Sequence, residues 1–237
     1  MKMGDGKLSN PLKRWKHIFK LDPAKEISDD DLDAICESGT DAVIVGGTDN
    51  ITIDGVLDLL SRIRRNHTVP CILEISEEEA LTPGFDYYFV PMVLNSKEKK
   101  WMMDVQHQAI KEYIDMMEYS EIYFEGYCIL NEEAKAFTHT NSYLPDLEDV
   151  KAYAYMAENV FHLPVFYVEY SGKYGDPELV KEVNDILEDT LLFYGGGIET
   201  PEQAIEMKQH ADVIIVGNSI YTNIKQALKT VAVVKDI

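Results

Sequence analysis

The chain has 237 residues, of which 46% are hydrophobic and 27% are charged, an ordinary globular composition that argues against a disordered protein. Its 42 acidic and 22 basic side chains give a formal net charge of −20. A surface with that charge repels polyanions, so we expect no nucleic-acid partner.

The N-terminal end of the chain is basic: the first 20 residues contain six Lys or Arg side chains and one acid. We interpret residues 1–14 as a basic N-terminal extension and residues 15–237 as a single domain. No apolar run approaches the roughly 18 residues of a membrane span, and no secretion signal precedes the domain. The sequence therefore predicts a cytoplasmic protein, in which three widely spaced cysteines are reduced.

Eight short apolar runs rich in Val, Ile, Tyr and Phe follow one another along the chain and are typical of strands. They are WKHIFKL (15–21), DAVIV (41–45), PCILEI (70–75), YYFVP (87–91), IYFEGYCIL (122–130), PVFYVEY (164–170), LLFYGG (191–196) and DVIIVG (212–217). Amphipathic patterns predict helices between them, over 30–38, 51–64, 97–118, 147–160, 177–189, 200–209 and 219–235.

This alternation predicts an α/β fold, a (β/α)8 TIM barrel. The segment SEEEALTPGF (76–85) is short and rich in turn residues, so the third helix should be reduced or missing. A doubly wound sheet is the alternative fold, but its glycine-rich loop would follow the first strand, whereas the glycines of this chain come late.

The late glycines predict a phosphate site. Gly195, Gly196 and Gly197 end the seventh strand, Gly217 and Asn218 end the eighth, and Ser171 and Gly172 end the sixth. Glycine lets the main chain approach an anion closely, and barrel enzymes often bind phosphate in the loops after strands 7 and 8. Barrel turns also use glycine for geometry alone, which is the simpler alternative.

Charged side chains also stand at predicted strand ends. Period-2 alternation places Lys20 and Asp22 on one face of the first strand, where Lys20 could bind phosphate and Asp22 could bind Mg²⁺ if both point inward. A salt-bridged pair at the rim is the alternative. Glu169 ends the sixth strand beside Ser171 and is our first choice for a general base. The roles of Glu74 and Glu125, structural or supporting, stay open.

Other chemistries find no support. The six histidines show no metal-ligand spacing, and the chain has neither a nucleophile elbow nor a P-loop. The alternative hypotheses for the function are a phosphosugar isomerase or aldolase on the same barrel and a non-enzymatic scaffold. An aldolase would need a Schiff-base lysine, which the last four strands lack. Of the many aromatic residues in strands 4 to 6, we expect most in the core and some along a groove for a hydrocarbon substrate.

At this point the motifs resemble those of the prenylglyceryl phosphate synthases, the geranylgeranylglyceryl phosphate synthase family, and most of all its bacterial heptaprenylglyceryl branch. The resemblance covers about residues 15–235. The motifs are FKLDP (19–23), ESGTDAVIVGGTD (37–49), YFVPMVLNS (88–96), EGYCILN (125–131), FYVEYSGKYGDP (166–177), LFYGGGI (192–198) and ADVIIVGNSIY (211–221).

The resemblance implies a Mg²⁺-dependent prenyltransferase that moves a heptaprenyl group from its diphosphate to the 3-hydroxyl of sn-glycerol 1-phosphate, in ether lipid biosynthesis. A shorter donor such as geranylgeranyl diphosphate is the alternative. It further implies a homodimer and leaves room for a peripheral membrane contact made for the lipid product. Carried over by motif, Glu169 is the base, and Asp22 and Thr48 hold the metal. Glycerol phosphate would contact Lys20, Tyr167, Val168, Glu169, Tyr170, Ser171, Gly172, Gly197, Gly217 and Asn218.

Overall fold

Eight parallel strands close into a barrel in which each strand pairs with the next and the first pairs with the last. The computed structural model describes residues 10–75, 81–113, 115 and 118–237. The strands are β1 (His17–Leu21), β2 (Ala42–Val45), β3 (Cys71–Glu74), β4 (Tyr87–Val93), β5 (Ile122–Ile129), β6 (Val165–Glu169), β7 (Leu191–Gly195) and β8 (Val213–Val216). The predicted TIM barrel is confirmed.

Helices surround the barrel within the described part of the chain. They are α1 (Asp29–Glu37), α2 (Ile53–Asn66), α3 (Val105–Tyr113), α4 (Lys135–His139), α5 (Leu147–Met156), α6 (Pro177–Asn184), α7 (Pro201–Lys208), α8 (Ser219–Thr222) and α9 (Ile224–Lys235). Short π-helical turns, Lys100–Asp104 and Ala157–Phe161, precede α3 and follow α5. Between β3 and β4 the described residues, 75 and 81–86, form no helix, as the short crossover predicted; residues 76–80 lie outside the description.

The last predicted helix, 219–235, is two helices in the structure. Asn223 has an extended main chain (φ −155°, ψ 75°), and its side chain accepts a hydrogen bond from the amide of Gln226. This local bond replaces a helical turn and caps α9. The hydrophobic period continues across the break, so periodicity alone could not locate it.

Two apolar layers hold the barrel. Inside it, alternate strand residues such as Ile18, Phe89 and Phe193 pack against one another, and outside it the other face of each strand packs against the helices. Leu12 and Trp15 join the inner layer at the N-terminal end, where Trp15 meets the ring of Tyr87 at 5.6 Å. The N-terminal end of the barrel interior is therefore apolar.

The structure describes only part of the predicted N-terminal extension, residues 10–14. Residues 1–9 lie outside the description, and Pro11–Arg14 form a 3-10 helix whose Leu12 is fully buried. The three cysteines are free, as predicted. In the part of the chain that the structure describes, no helix is both long enough and apolar enough to cross a membrane.

Candidate active site

A cavity of about 620 Å³ opens at the C-terminal ends of the strands. Its polar side is formed by the ends of β1, β2, β6, β7 and β8, and its apolar side by β4, β5 and the Lys100–Tyr113 segment. A parallel barrel brings all eight carboxyl ends together at this face, which is where such folds place ligands.

The ammonium of Lys20 lies inside the barrel and pairs with Glu74 rather than with its neighbour Asp22. Nζ of Lys20 is 2.5 Å from Oε2 of Glu74, and the Glu74 side chain is only 5% exposed. Burial lowers the pKa of Lys20, but the carboxylates of Glu74 and Glu169 outweigh burial and raise it overall. Lys20 therefore stays charged and can meet an anionic ligand in the cavity.

Glu169 is 4% exposed at the end of β6, and two donors hold its carboxylate. The hydroxyl of Tyr127 donates to Oε2 at 2.6 Å, and the amide of Ser171 donates to Oε1. Burial raises the pKa of Glu169, while attraction to Lys20 and the Tyr127 hydrogen bond only partly offset the rise. A carboxylate whose pKa is raised is a stronger base, which suits proton abstraction from a hydroxyl.

Tyr127 is fixed by the ring of Tyr167, which stacks on it with the centroids 4.5 Å apart. Burial and the charge of Glu169 raise the pKa of Tyr127 well above its usual value, so the phenol keeps the proton that it donates. Tyr167 fits inside the barrel because residue 195 is glycine: a Cβ there would overlap the Tyr167 hydroxyl.

The loops after β6 and β7 interlock through their glycines. Gly172 and Gly197 have positive φ (+83° and +52°), and a Cβ at Gly197 would overlap the main chain of Lys173 and Tyr174. Only glycine permits this conformation at low cost, so both loops can present main chain to the cavity.

Val168 and Tyr170 are the two predicted contacts whose side chains lie away from the cavity. They alternate with Tyr167 and Glu169 along β6 and pack in the layer between barrel and helices. Any contact that they make with a ligand would come from their main chain. The other predicted site residues all line the cavity: Lys20, Asp22, Thr48, Tyr167, Glu169, Ser171, Gly172, Gly197, Gly217 and Asn218.

After β8, Gly217 and Asn218 lead into α8, whose first residue is Ser219. The Oγ of Ser219 is buried and has no hydrogen-bond partner among the described residues, although the residue lines the cavity. A buried hydroxyl without a partner is costly, which makes Ser219 a candidate for contact with a ligand. Oδ1 of Asn218 accepts from Nζ of Lys25 at 3.0 Å, which adds a second ammonium group at the rim.

Asp22 and Thr48 lie on neighbouring strand ends. The loop after β2 approaches Asp22 closely: a Cβ added at Gly47 would lie 2.7 Å from Oδ1 of Asp22. Oδ1 accepts the amide of Ala24 at 3.0 Å, and Oδ2 has the Lys25 ammonium 3.9 Å away. No group of three acidic, His or Cys side chains among the described residues is arranged to hold a metal.

The apolar side of the cavity carries Trp101, Val105 and Ile129. The buried amide of Gln106 anchors this side, because its Nε2 donates to the carbonyls of Pro91 and of Trp101 (2.9 Å to the latter). Of the aromatic residues predicted to fill the core or line a groove, Tyr127 and Tyr167 line the cavity and the others pack elsewhere.

Sequence reasoning missed Ser219, Lys25, Tyr127 as the holder of Glu169, and Trp101. Ser219 directly follows the predicted Gly217-Asn218 pair, so its position was the available signal. Trp101 and Lys25 lie outside the strand ends, where periodicity points to no common site. The Tyr127–Glu169 bond joins residues 42 apart in sequence and depends on barrel register.

Comparison with known proteins gives the chain close relatives. A model of the PcrB family matches residues 10–235. The heptaprenylglyceryl phosphate synthase of Oceanobacillus iheyensis is 77% identical over 224 residues, which are 94% of this chain and 98% of the relative. The enzyme of the same name from a Geobacillus species (strain WCH70) is 60% identical over 226 residues, with coverage of 94% and 98%.

Among solved structures, the chain resembles (S)-3-O-geranylgeranylglyceryl phosphate synthase from Thermoplasma acidophilum, which was crystallised with its substrate sn-glycerol-1-phosphate. The TM-score is 0.85, with 24% identity and coverage of 95% of this chain and 96% of that one. At this identity the likeness establishes a shared barrel fold.

Proposed function

The chain belongs to the PcrB family, and on that premise we propose that it is a prenyltransferase that joins a heptaprenyl group to the 3-hydroxyl of sn-glycerol 1-phosphate. The names of the curated relatives, at 77% and 60% identity, support this reaction. The observation that carries it in the structure is Glu169: a buried carboxylate, held by Tyr127 and a main-chain amide, between a glycine-rich rim and an apolar wall.

The phosphate of glycerol phosphate would bind where the loops after β6, β7 and β8 converge, with Lys20 and the Ser219 hydroxyl beside it. Gly172, Gly197 and Asn218 contribute the rest of this rim. The ligand's 3-hydroxyl then faces Glu169. The prenyl chain would lie along Trp101, Val105 and Ile129. Burial of a hydrocarbon there stabilises the complex by about 25 cal/mol for each Å² of apolar surface removed from water.

In the reaction, the hydroxyl oxygen of glycerol phosphate attacks the first carbon of the prenyl chain, and the bond from that carbon to diphosphate breaks. Glu169 accepts the hydroxyl proton. Tyr127 keeps its own proton and fixes the carboxylate, so Glu169 need not reorient. Holding both substrates in one cavity makes the attack effectively intramolecular, which contributes much of the rate.

Magnesium fits the Asp22 side of this cavity. A single carboxylate with a nearby Thr48 hydroxyl suits Mg²⁺, which usually takes one or two protein carboxylates and completes its shell with substrate phosphates and water. When bound there, the ion would neutralise the departing diphosphate.

The partners and location remain part of the proposal. We infer a homodimer, as the family resemblance implies, and a cytoplasmic location, as the sequence predicts. A peripheral membrane contact for the lipid product is supported by the exposed side chains of Met103 and Ile110 beside the apolar side of the cavity, at 40% exposure each, together with the exposed Lys100 and Lys111.

The test combines the substrates with purified full-length protein, Mg²⁺ and two variants. The unaltered protein should form heptaprenylglyceryl phosphate. Glu169→Gln should lower turnover by roughly 10²–10⁴-fold, because general base catalysis contributes that much, and should still bind glycerol phosphate. Glu178→Gln, on the exposed surface of α6, is the control and should behave as the unaltered protein does.

Two outcomes would contradict this account. No ether product with any prenyl diphosphate from geranylgeranyl to heptaprenyl would overturn the reaction and favour a phosphosugar enzyme on the same barrel. Near-normal turnover by Glu169→Gln would remove Glu169 as the base.

A further inference from the structure

The centre of the barrel holds a carboxylate for which the proposed reaction has no use. Glu125 on β5 is fully buried, and neither of its carboxylate oxygens has a hydrogen-bond partner among the described residues. It does not line the cavity and lies one inward-facing position before Tyr127 on its strand. A buried, unpartnered polar group of this kind costs several kcal/mol if charged, so its protonation state and its partner require an explanation.

The ionisable groups that interact electrostatically with Glu125 come from three other strands: Lys20 on β1, Glu74 on β3, and Glu169 and Tyr167 on β6. Lys20 is the one cation in this set, and its ammonium already lies 2.5 Å from Glu74. With Glu74 and Glu169 ionised, the set has a net charge of −1. A further negative charge at Glu125 would repel the phosphate that the cavity is proposed to bind.

A second buried carboxylate oxygen in this set also lacks a hydrogen-bond partner among the described residues. Oε2 of Glu74 accepts from Lys20, but Oε1 of Glu74 is buried and has no hydrogen-bond partner among the described residues. Glu74 is also the charged side chain that acts most strongly on Glu125. The two flank β4, where Glu74 is in register with Phe89 and Glu125 with Pro91, two residues further along. A protonated carboxyl has a donor to offer, and ionised Glu74 has a vacant acceptor.

We propose that Glu125 is a positioning residue: it stays protonated, donates a hydrogen bond to Oε1 of Glu74, and thereby holds the Glu74–Lys20 ion pair beneath the phosphate subsite. Burial first, and then the charge of Glu74, raise the pKa of Glu125 well above its usual value, in agreement with a neutral acid. The shared proton keeps Glu74 in place when a phosphate draws Lys20 upward. This role rests on the proposed function only for the identity of the phosphate.

The first test needs no substrate. Infrared spectra of the full-length protein at neutral pH should contain the carbonyl stretch of a protonated carboxylic acid, and that band should be missing from Glu125→Gln. Circular dichroism and the melting temperature report whether each variant folds. A spectrum of the unaltered protein with no band that depends on Glu125 would overturn the proposal, whatever the reaction proves to be.

The second test compares two replacements of Glu125 in the prenyl-transfer assay. Glu125→Leu removes the donor, so the KM for glycerol phosphate should rise by about tenfold, which corresponds to about 1.4 kcal/mol. Glu125→Gln offers Glu74 an amide donor and should recover most of that loss. The exposed Glu132→Gln is the matched control and should leave KM and kcat as they are.

The pH profile separates positioning from mere packing. The protonated form of Glu125 is present below its pKa and is lost as the pH rises through it, so kcat/KM for glycerol phosphate should fall at alkaline pH. Glu125→Gln cannot lose this proton, so its alkaline limb should move to higher pH or disappear. Equal KM values for the Gln and Leu variants, or an alkaline limb in Glu125→Gln that is the same as in the unaltered protein, would contradict the proposal. If no variant or unaltered protein forms product while the infrared band is present, the proposed function fails and the proton assignment stands.

Discussion

Glu169 and Lys20 were predictable as inward-facing residues because alternation along a strand fixes which side chains share a face. Their partners were not. Lys20 forms an ion pair with Glu74, two strands away. Glu169 accepts a hydrogen bond from the hydroxyl of Tyr127 on the neighbouring strand. Such pairs depend on the stagger of the strands and on side-chain length, neither of which a single sequence specifies. The orphan hydroxyl of Ser219 is likewise visible only once its surroundings are known.

Ser219 provides a test at this scale. Removal of its hydroxyl by Ser219→Ala should raise the KM for glycerol phosphate by about tenfold or more, since a hydrogen bond to a charged group contributes about 1.5–3 kcal/mol. The melting temperature should stay the same or rise, because the free protein no longer buries an unpartnered hydroxyl. Steady-state kinetics and thermal melts measure both.

The control for Ser219 is Ser61→Ala on the exposed face of α2, which should change neither KM nor kcat. A lower melting temperature with unchanged KM in Ser219→Ala would mean that the hydroxyl serves the fold and does not contact the phosphate.

Asp22 provides a test of the metal proposal. Asp22→Asn keeps an oxygen to accept the amide of Ala24 but removes the negative charge, so the Mg²⁺ concentration for half-maximal rate should rise. A magnesium titration of the rate measures this shift. Asp54→Asn, exposed in the first turn of α2, should titrate as the unaltered protein does. An unchanged magnesium requirement in Asp22→Asn would place the metal elsewhere.

At the scale of elements, strand order and most helix positions followed from composition and period, whereas the ends of elements followed from local contacts. The π-helical turn Lys100–Asp104 and the short α4 have no signal in the hydrophobic pattern. One contact between elements lies at the N-terminal end of β1. The ring nitrogens of His17 form hydrogen bonds with the hydroxyl of Thr40 at 3.0 Å and with the hydroxyl of Thr230 on α9 at 2.9 Å. His17 thus ties the first strand to the last helix.

This tie predicts an acid-sensitive fold. Burial lowers the pKa of His17 from 6.5 to about 3. Between these two pH values the side chain is therefore protonated in the unfolded chain and neutral in the folded protein. Stability from this group is complete above pH 6.5 and is lost as the pH falls towards 3. When the pH is lowered from 7 to 5, the unfolding free energy measured by urea denaturation should fall in the unaltered protein. In His17→Gln this fall should be smaller by about 2 kcal/mol.

The matched control is His107→Gln, an exposed position on α3, which should show the pH dependence of the unaltered protein. If the unfolding free energy of His17→Gln and of the unaltered protein depended equally on pH, folding would not lower the pKa of His17, which would contradict this account.

At the scale of the whole molecule, a net charge of −20 is compatible with the two anionic substrates that we propose, because the compensating groups are local. The cavity gathers the Lys20 and Lys25 ammonium groups and the main chain of three late loops, and Asp22 lines it where we propose that Mg²⁺ binds. The overall charge therefore opposes binding to polyanions at the surface without preventing phosphate binding in the barrel. The sequence pattern predicted this face of the barrel, but not how the cavity divides into polar and apolar sides.

The central claim is that this barrel transfers a heptaprenyl group to sn-glycerol 1-phosphate. The most direct measurement is a competition in one vessel between equal concentrations of heptaprenyl and geranylgeranyl diphosphate for a limiting amount of labelled sn-glycerol 1-phosphate, with Mg²⁺ and products separated by mass. The account predicts that heptaprenylglyceryl phosphate is the main product. A product that carries mainly the geranylgeranyl chain, or no ether product from either donor, would contradict it.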